Sequence, residues 1–586
     1  MNNDSAPARG GGGFMQPPPS SRANSRLARA LFAASLARGA ILPSALQMRA
    51  SQTLLSTAAA VLVHALVDTG ATAVIAQQPE ALYYQVTLEE HPTNAGANVP
   101  ADFFGLTLDA WGMAGGYVQK HELNSTRLRK WLRALNPVTL RVGGTGTDKE
   151  VWPLGPSAAG NIPAASRNVS QNISVETWEA VVQLAEDAQL DLIVGVSGTL
   201  REWDQPGQPW STVNAKAFLQ WNIARGAKLA GVEIGNEPGI WSQFKGPPVT
   251  AEQHAADWAE LQRLLAELYP EKSTRPLAIG PDTCCNTGNQ NTLQALLPYN
   301  PLWNVTTIHL YGRGPDTSKG TPHAAELLEA ARQNNICQRV KEQASWVANS
   351  SHASTPLWVG EGGGSFYEWP GGGYLHQFGG ALSLLNTLGC SATAGLQKFL
   401  KHDIFENMLE RAPDDSSWIS PRPSFFVAKL WHDMVGAATA ISSTVGAAGT
   451  NQPLKDVHTW SFRKSQVGDE ARAGAGTTAG QIVLLLLDLR NATDSSIAVR
   501  IPCKSASSAH LYELSPSGPA RCEPPPAGVA TQCDKVLNAP KMALNGVELA
   551  VSSSGDLPTT TGKAVACVAG QLTLQSKPLS AAIVAF

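Results

Sequence analysis

GVEIGNEPG, residues 231–239, sets an apolar strand-like run, Val-Glu-Ile, directly before Asn236, Glu237 and Pro238. A strand that ends on an amide and a carboxylate and then stops at a proline carries its chemistry at its C-terminal end. Similar short runs recur along the chain as FFGLTLD (103–109), VTLRVGG (138–144), LDLIVGVSG (190–198), AGVEIGNE (230–237), PLAIGPDT (276–283), NVTTIHLYG (304–312), PLWVGEGG (356–363) and one within ATAGLQKFL (392–400). Stretches of helical period separate them, such as VETWEAVVQLAEDAQL (175–190) and TAEQHAADWAELQRLLAELY (250–269), the second with Thr250 and Glu252 placed for N-terminal capping. A last helix fits RPSFFVAKLWHDMVG (422–436). Eight such strands, each followed by a helix, predict an α/β chain with a (β/α)8 TIM barrel over residues 103–436, whose strands all end at one mouth. Asp109, Thr145, Asn236, Glu237, His309, Tyr311 and Glu361 would meet there.

Beyond Gly436 the pattern changes to short alternating strands, among them VHTWSFRK, GQIVLLLLDLR, SSIAVRIP, AHLYELSP and SAAIVAF, which predict a C-terminal β-sandwich over 437–586. The segment 77–102 contains ALYYQVTLEE (81–90) and is expected to add a strand to that sandwich; SQVGDEARAGAGTTA (465–479) has no apolar period and reads as a loop.

Composition narrows the class. Over 586 residues, 43% hydrophobic content, 16% charged content and a formal net charge of -3 describe a soluble globular chain with no basic field to attract nucleic acid. Residues 1–76 read as a leader: an Arg-rich, acid-poor opening, then an apolar run from Leu54 to Val63 of signal-peptide length and a cleavage-like Val74-Ile75-Ala76. Translation from Met48 would give a signal peptide of ordinary length. The favoured expectation is secretion to the extracellular space or cell wall; an uncleaved membrane anchor and an organellar transit peptide are the alternatives, and the leader is the one segment expected to touch a membrane. Cys503, Cys522, Cys533 and Cys567 fall in the last hundred residues and suit one or two disulfides, with buried free thiols as the plain alternative. Asn124, Asn168, Asn172, Asn304, Asn349 and Asn491 head N-x-S/T triplets that would accept glycans in a secretory compartment. No zinc spacing occurs, and no metal or organic cofactor is implied. A monomer is expected.

Glu237 and Glu361, ending strands four and seven, carry the functional reading. A barrel brings such ends across one cleft, and two carboxylates flanking a glycosidic bond are the minimum apparatus for its hydrolysis. A gap of roughly 5–5.5 Å would retain the anomeric configuration and one of roughly 6.5–9.5 Å would invert it; the sequence leaves that open. Either residue alone reads equally well as a solvated loop carboxylate.

Asn-Glu-Pro after strand four with Gly-Glu after strand seven resembles the clan of barrel glycosidases. Within it, LRVGGTGTDKEVW, VEIGNEP, IHLYGRG and the run from WVGEGGGSF through GGGYLHQF and LGCSATAGLQ are similar to heparanase and its β-glucuronidase relatives, glycoside hydrolase family 79. The resemblance covers about residues 81–586. It implies a retaining β-glucuronidase acting on glucuronic-acid-containing glycans, with Glu237 as acid/base and Glu361 as nucleophile. It also implies Asn236 on the sugar 2-hydroxyl, Tyr311 on the nucleophile with His309 beside it, Asp109 and Thr145 as sugar contacts, and Gly371, Gly372 and Gly373 offering N–H groups to a uronate carboxylate. Each of these has a plain structural alternative as a turn amide, a barrel-layer side chain, a loop cap or an ordinary loop.

The chain departs from heparanase in three places. Some twenty residues separate Trp152 from Val175, so no excised linker is expected, and CCNTGNQNTLQALLPYNPLWN holds no Lys or Arg where heparanase grips sulfated chains. After strand eight, IFENMLERAPD contains no counterpart of the carboxylate-contacting tyrosine, leaving His402, Arg411 or Arg313 as substitutes. A clan glycosidase for neutral sugars and a noncatalytic glycan-binding protein on the same fold are the alternative readings.

Overall fold

The computed structural model describes residues 83–586 except 90–95, 115–117, 119, 153–170, 202–207, 245–248, 285–292, 313–327, 365–375, 412–417, 451, 466–479, 492, 504–505 and 521–535. The leader 1–76, all but the first residue of the loop expected at 465–479, and Asn168, Arg313, Gly371, Gly372, Gly373, Cys522 and Cys533 lie outside the described residues.

Eight parallel strands close into a barrel in chain order: Phe104–Asp109, Thr139–Gly143, Asp191–Val196, Gly231–Ile234, Leu277–Cys284, Val305–Tyr311, Leu357–Gly363 and Lys398–Lys401. They are called strands one to eight below. Closure is made by strand eight on strand one, Phe399 opposite Phe104. The eighth strand begins later than the run at 392–400 suggests, because helix Phe378–Thr393 takes the first part of that stretch. It ends where Gly395 adopts φ +88°, a left-handed terminus that suits glycine.

Helices pack outside the strands as their sequences dictate. Val175–Ala188 is capped by Ser174, whose hydroxyl accepts from Thr177 N, and Ala251–Leu268 by Thr250, accepting from Gln253 N. Phe378–Thr393 is buried along almost its whole length, and its buried Asn386 is satisfied by Gln333 and His458. One face meets the barrel and another the sheet domain, where a Cβ on Gly389 would fall 2.5 Å from the ring of Trp460. A disulfide, Cys337–Cys390, ties it to helix Ala330–Ala348.

The sheet domain starts with Ala438–Ala447, directly after helix Pro423–Met434. That strand serves two partners in turn: Ala438 to Ile441 pair with Val457–Lys464, and Ser442 to Ala447 pair with Tyr83–Glu89. The sheet thereby folds over on itself. Val86, Val445, Leu484, Leu486, Val499, Ile501, Leu572 and Val584 fill the interior between the layers. Alternation along Ile482–Asp488 explains its unbroken leucine run: Leu484 and Leu486 face that interior, while Val483, Leu485 and Leu487 join the core shared with the barrel. Both faces are buried, so no polar alternation survives. Cys503–Cys567 links two segments of this domain. Among the described residues no helix is long and apolar enough to cross a membrane.

Candidate active site

Side chains two apart on a strand share a face. On strand six this turns Thr307, His309 and Tyr311 inward, and on strand two it turns in Thr139, Arg141 and Gly143. Arg141 is fully buried and lies across the barrel axis as a hub. Its Nε is 2.7 Å from Glu233 Oε2, Nη1 is 3.0 Å from Glu361 Oε2, and Nη2 is 3.0 Å from Asn236 Oδ1 and 3.1 Å from Asp282 Oδ2. Gly143 makes room for it, since a Cβ there would fall 2.5 Å from the guanidinium carbon. Buried charges need partners, and this one cation gathers strands two, four, five and seven.

The two glutamates approach from opposite sides of that hub. Glu237 sits just past strand four at φ +48°, its N–H donating to Asp282 O at 3.0 Å, and Pro238 opens the 3-10 turn Pro238–Phe244, where a missing N–H costs nothing. A left-handed conformation in a non-glycine residue is strained by about 1–3 kcal/mol and clusters at functional sites; here it aims the carboxyl over the mouth, with 13% of the side chain exposed. His309 Nδ1 lies 2.8 Å from Glu237 Oε1 and 4.0 Å from Glu361 Oε1, and its Nε2 lies 3.5 Å from Asp282 Oδ1. Tyr311 donates its hydroxyl hydrogen to Glu361 Oε1. One atom each of Glu237, His309 and Glu361 lie within 4.8 Å of one another. Such a trio could offer ligands to an ion, but its members are already engaged, His309 with Glu237 and Tyr311 with Glu361.

Environment drives the two carboxyls apart. Burial raises the Glu237 pKa, assisted by the negative Glu361 and opposed by His309. Burial also pushes Glu361 upward, but the charges of His402, His309 and Arg141 and the Tyr311 hydroxyl outweigh it and hold it at about 2. His309 would be driven down by burial, yet Glu361, Asp282 and Glu237 lift it to about 10, so it is a cation at neutral pH. Burial, reinforced by Glu361, keeps Tyr311 protonated as a donor. One carboxyl is thus shifted toward its acid form and its neighbour held as an anion, the direction of division that glycoside cleavage requires.

Asp109 ends strand one, and Thr145 opens the 3-10 turn Thr145–Lys149 just after Gly144, where a Cβ would fall 2.7 Å from Asp109 Oδ2. Of the substitutes considered for the tyrosine, His402 reaches the pair, its Nδ1 3.2 Å from Thr107 Oγ1 and 3.7 Å from Glu361 Oε1. Arg411 instead pairs with buried Glu122 at 3.1 Å. Asp148, which lies in the run LRVGGTGTDKEVW but is not among the expected site residues, accepts from Gly198 N at 2.9 Å, Asn236 N at 2.8 Å and Trp241 Nε1 at 2.8 Å. It fixes the backbone that presents the Asn-Glu pair. Arg141, Glu233 and Asp282 likewise join the site without being expected there.

Residues 101–375 match the glycosyl hydrolase family 79 N-terminal domain. The chain is 22% identical to baicalin-beta-D-glucuronidase of Scutellaria baicalensis over 74% of its length and 82% of that protein. It is 23% identical to heparanase-like protein 3 of Arabidopsis thaliana over 79% of its length and 86% of that protein. Among solved structures it resembles a 4-O-alpha-L-rhamnosyl-beta-D-glucuronidase from Fusarium oxysporum, with a TM-score of 0.59 and 15% identity over 86% of this chain and 100% of that one; this likeness speaks to fold alone.

Proposed function

The chain belongs to glycoside hydrolase family 79 through residues 101–375, and from that premise we propose that it is a retaining β-glucuronidase working by double displacement. The observation that carries the mechanism is the separation of the pair: oxygens of Glu237 and Glu361 within 4.8 Å suit the roughly 5–5.5 Å of retaining enzymes better than the roughly 6.5–9.5 Å that leaves room for a water.

In the first step Glu361 attacks the anomeric carbon while Glu237 gives its proton to the departing oxygen. Esterification removes the negative charge of Glu361, one of the influences holding the Glu237 pKa up. Glu237, having given up its proton, then stays ionised and is free to accept one from water. That water attacks the anomeric carbon and Glu361 leaves as carboxylate. Arg141 and Tyr311 hold Glu361 in place and anionic, and the Arg141 contact to Asn236 Oδ1 orients that amide toward the sugar 2-hydroxyl.

The glucuronate assignment rests on the relatives, baicalin-beta-D-glucuronidase above all. A neutral-sugar glycosidase is the second reading, favoured by the pairing of Arg411 with Glu122 and the lack of a tyrosine after strand eight. A noncatalytic binder would not need two carboxyls driven in opposite directions. Export is our reading of the leader, supported by the disulfides Cys337–Cys390 and Cys503–Cys567. A panel of aryl glycosides tests the assignment: hydrolysis of the glucuronide is expected, and hydrolysis of a glucoside, xyloside or arabinoside with none of the glucuronide overturns it.

A further inference from the structure

Asp282, in strand five, is 1% exposed and sits at φ +52°, a second left-handed residue beside Glu237. A non-glycine residue keeps that conformation only where its surroundings impose it, and four contacts do so here. Its N–H donates to Thr307 Oγ1 at 2.9 Å, its carbonyl accepts the Glu237 N–H at 3.0 Å, and its Oδ2 accepts from Arg141 Nη2 at 3.1 Å. The fourth contact is at ion-pair range, with Oδ1 3.5 Å from His309 Nε2. Both of these atoms are buried, and among the described residues neither has a hydrogen bond. Buried polar atoms need partners, so each is the charge partner of the other. Glu233, the other carboxyl near Asp282, is taken up by Arg141 Nε at 2.7 Å. Strand seven leaves room for the arrangement, since a Cβ on Gly360 would fall 2.6 Å from Asp282 Oδ1.

These contacts converge on Glu237 from two sides. The Asp282 carbonyl fixes the Glu237 backbone in its left-handed conformation. The Asp282 carboxylate meets one nitrogen of His309 while the other, Nδ1, lies 2.8 Å from Glu237 Oε1. An imidazole ring is rigid, so a carboxylate on one nitrogen sets the direction and the protonation of the other. A third group orients a histidine in this way beside a nucleophile; here the group served is the proton donor. The link from Asp282 to the nucleophile is indirect. Arg141 Nη2 meets Asp282, whereas Arg141 Nη1 and the Tyr311 hydroxyl hold Glu361 themselves.

We propose that Asp282 is a positioning residue for the proton donor, holding Glu237 at its backbone through a carbonyl and at its carboxyl through His309, and so aiming the acid at the departing oxygen. This deepens the retaining-glycosidase reading and rests on it.

The test compares kcat/KM on two glycosides of one glycone, one with a dinitrophenyl and one with an alkyl aglycone. This ratio reports the reaction up to cleavage of the glycosidic bond, where dinitrophenolate leaves with hardly any help from an acid and an alkoxide depends on it. Asp282→Ala keeps the carbonyl and removes the carboxylate. It is expected to lose about tenfold or more on the alkyl glycoside beyond its loss on the dinitrophenyl glycoside. Thr307→Val removes the acceptor of the Asp282 N–H and leaves every charge in place, so the same skew is expected at about threefold; it carries the comparison if Asp282→Ala does not fold. A purely structural role, or one exercised on Glu361, would lower both substrates alike. Equal losses on the two glycosides, or none on either, overturn the proposal. The pair is built on whichever glycone the panel identifies, so an error in the glucuronate assignment changes the substrates and leaves the comparison intact.

Discussion

Arg141 Nη1 lies 3.0 Å from Glu361 Oε2, with both side chains buried, 0% and 7% exposed. The nucleophile of strand seven is thereby held from strand two, across the barrel. The same guanidinium also faces Glu233 and Asp282, so one cation compensates several carboxyls that would otherwise repel in a low dielectric.

Arg141→Met leaves those carboxyls without their cation. Breaking a buried pair costs about 3–5 kcal/mol, so thermal unfolding at neutral pH should show a large loss. Glu361 is held low, at about 2, and Asp282 is also lowered, against burial, chiefly by Arg141. Groups of this kind contribute stability above their unfolded pKa that is lost as pH falls through the folded value. The gap between wild type and variant should therefore narrow on acidification; a gap independent of pH would argue against the charge role.

Tyr311→Phe removes the hydroxyl that donates to Glu361. A hydrogen bond to a charged group is worth about 1.5–3 kcal/mol, so kcat should fall by roughly tenfold or more, and the acid limb of the pH profile should move upward as Glu361 loses a donor. An unmoved acid limb would place Tyr311 outside the nucleophile's support.

The pH dependence of kcat/KM follows from the opposed carboxyls. Activity needs Glu361 ionised and Glu237 protonated, so the acid limb lies near pH 2 and the alkaline limb above the ordinary 4.5 of a glutamate. Glu237→Gln should erase the alkaline limb. With a dinitrophenyl leaving group, which hardly needs protonation, its first step should stay fast while release of the glycosyl-enzyme slows. A variant that retains the wild-type alkaline limb would assign that limb to another group.

The strand ends are readable in the sequence because parallel barrels expose their chemistry there, and Asn236, Glu237 and Glu361 stand at such ends. Arg141 and Glu233 are harder. Each sits inside an apolar strand, where the anomaly is visible in LRVGG and GVEIG, but the partner of a buried charge depends on stagger between strands that are distant in the chain. Asp148 is hidden for a similar reason, since its three donors come from the loop after strand three, from Asn236 and from Trp241. The sequence places strand eight only within 392–400 because ATAG continues the helical period up to Gly395, and the Cys337–Cys390 pairing depends on how two outer helices pack.

Peptide mass spectrometry after incubation with an activated 2-deoxy-2-fluoro glucuronide probes the double displacement at its intermediate, because this reagent allows the first step and slows the second. A single glycosyl adduct is expected on the peptide bearing Glu361. An adduct on Glu237 instead, or steady hydrolysis of the reagent with inversion and no adduct, would refute the assignment of Glu361 as nucleophile.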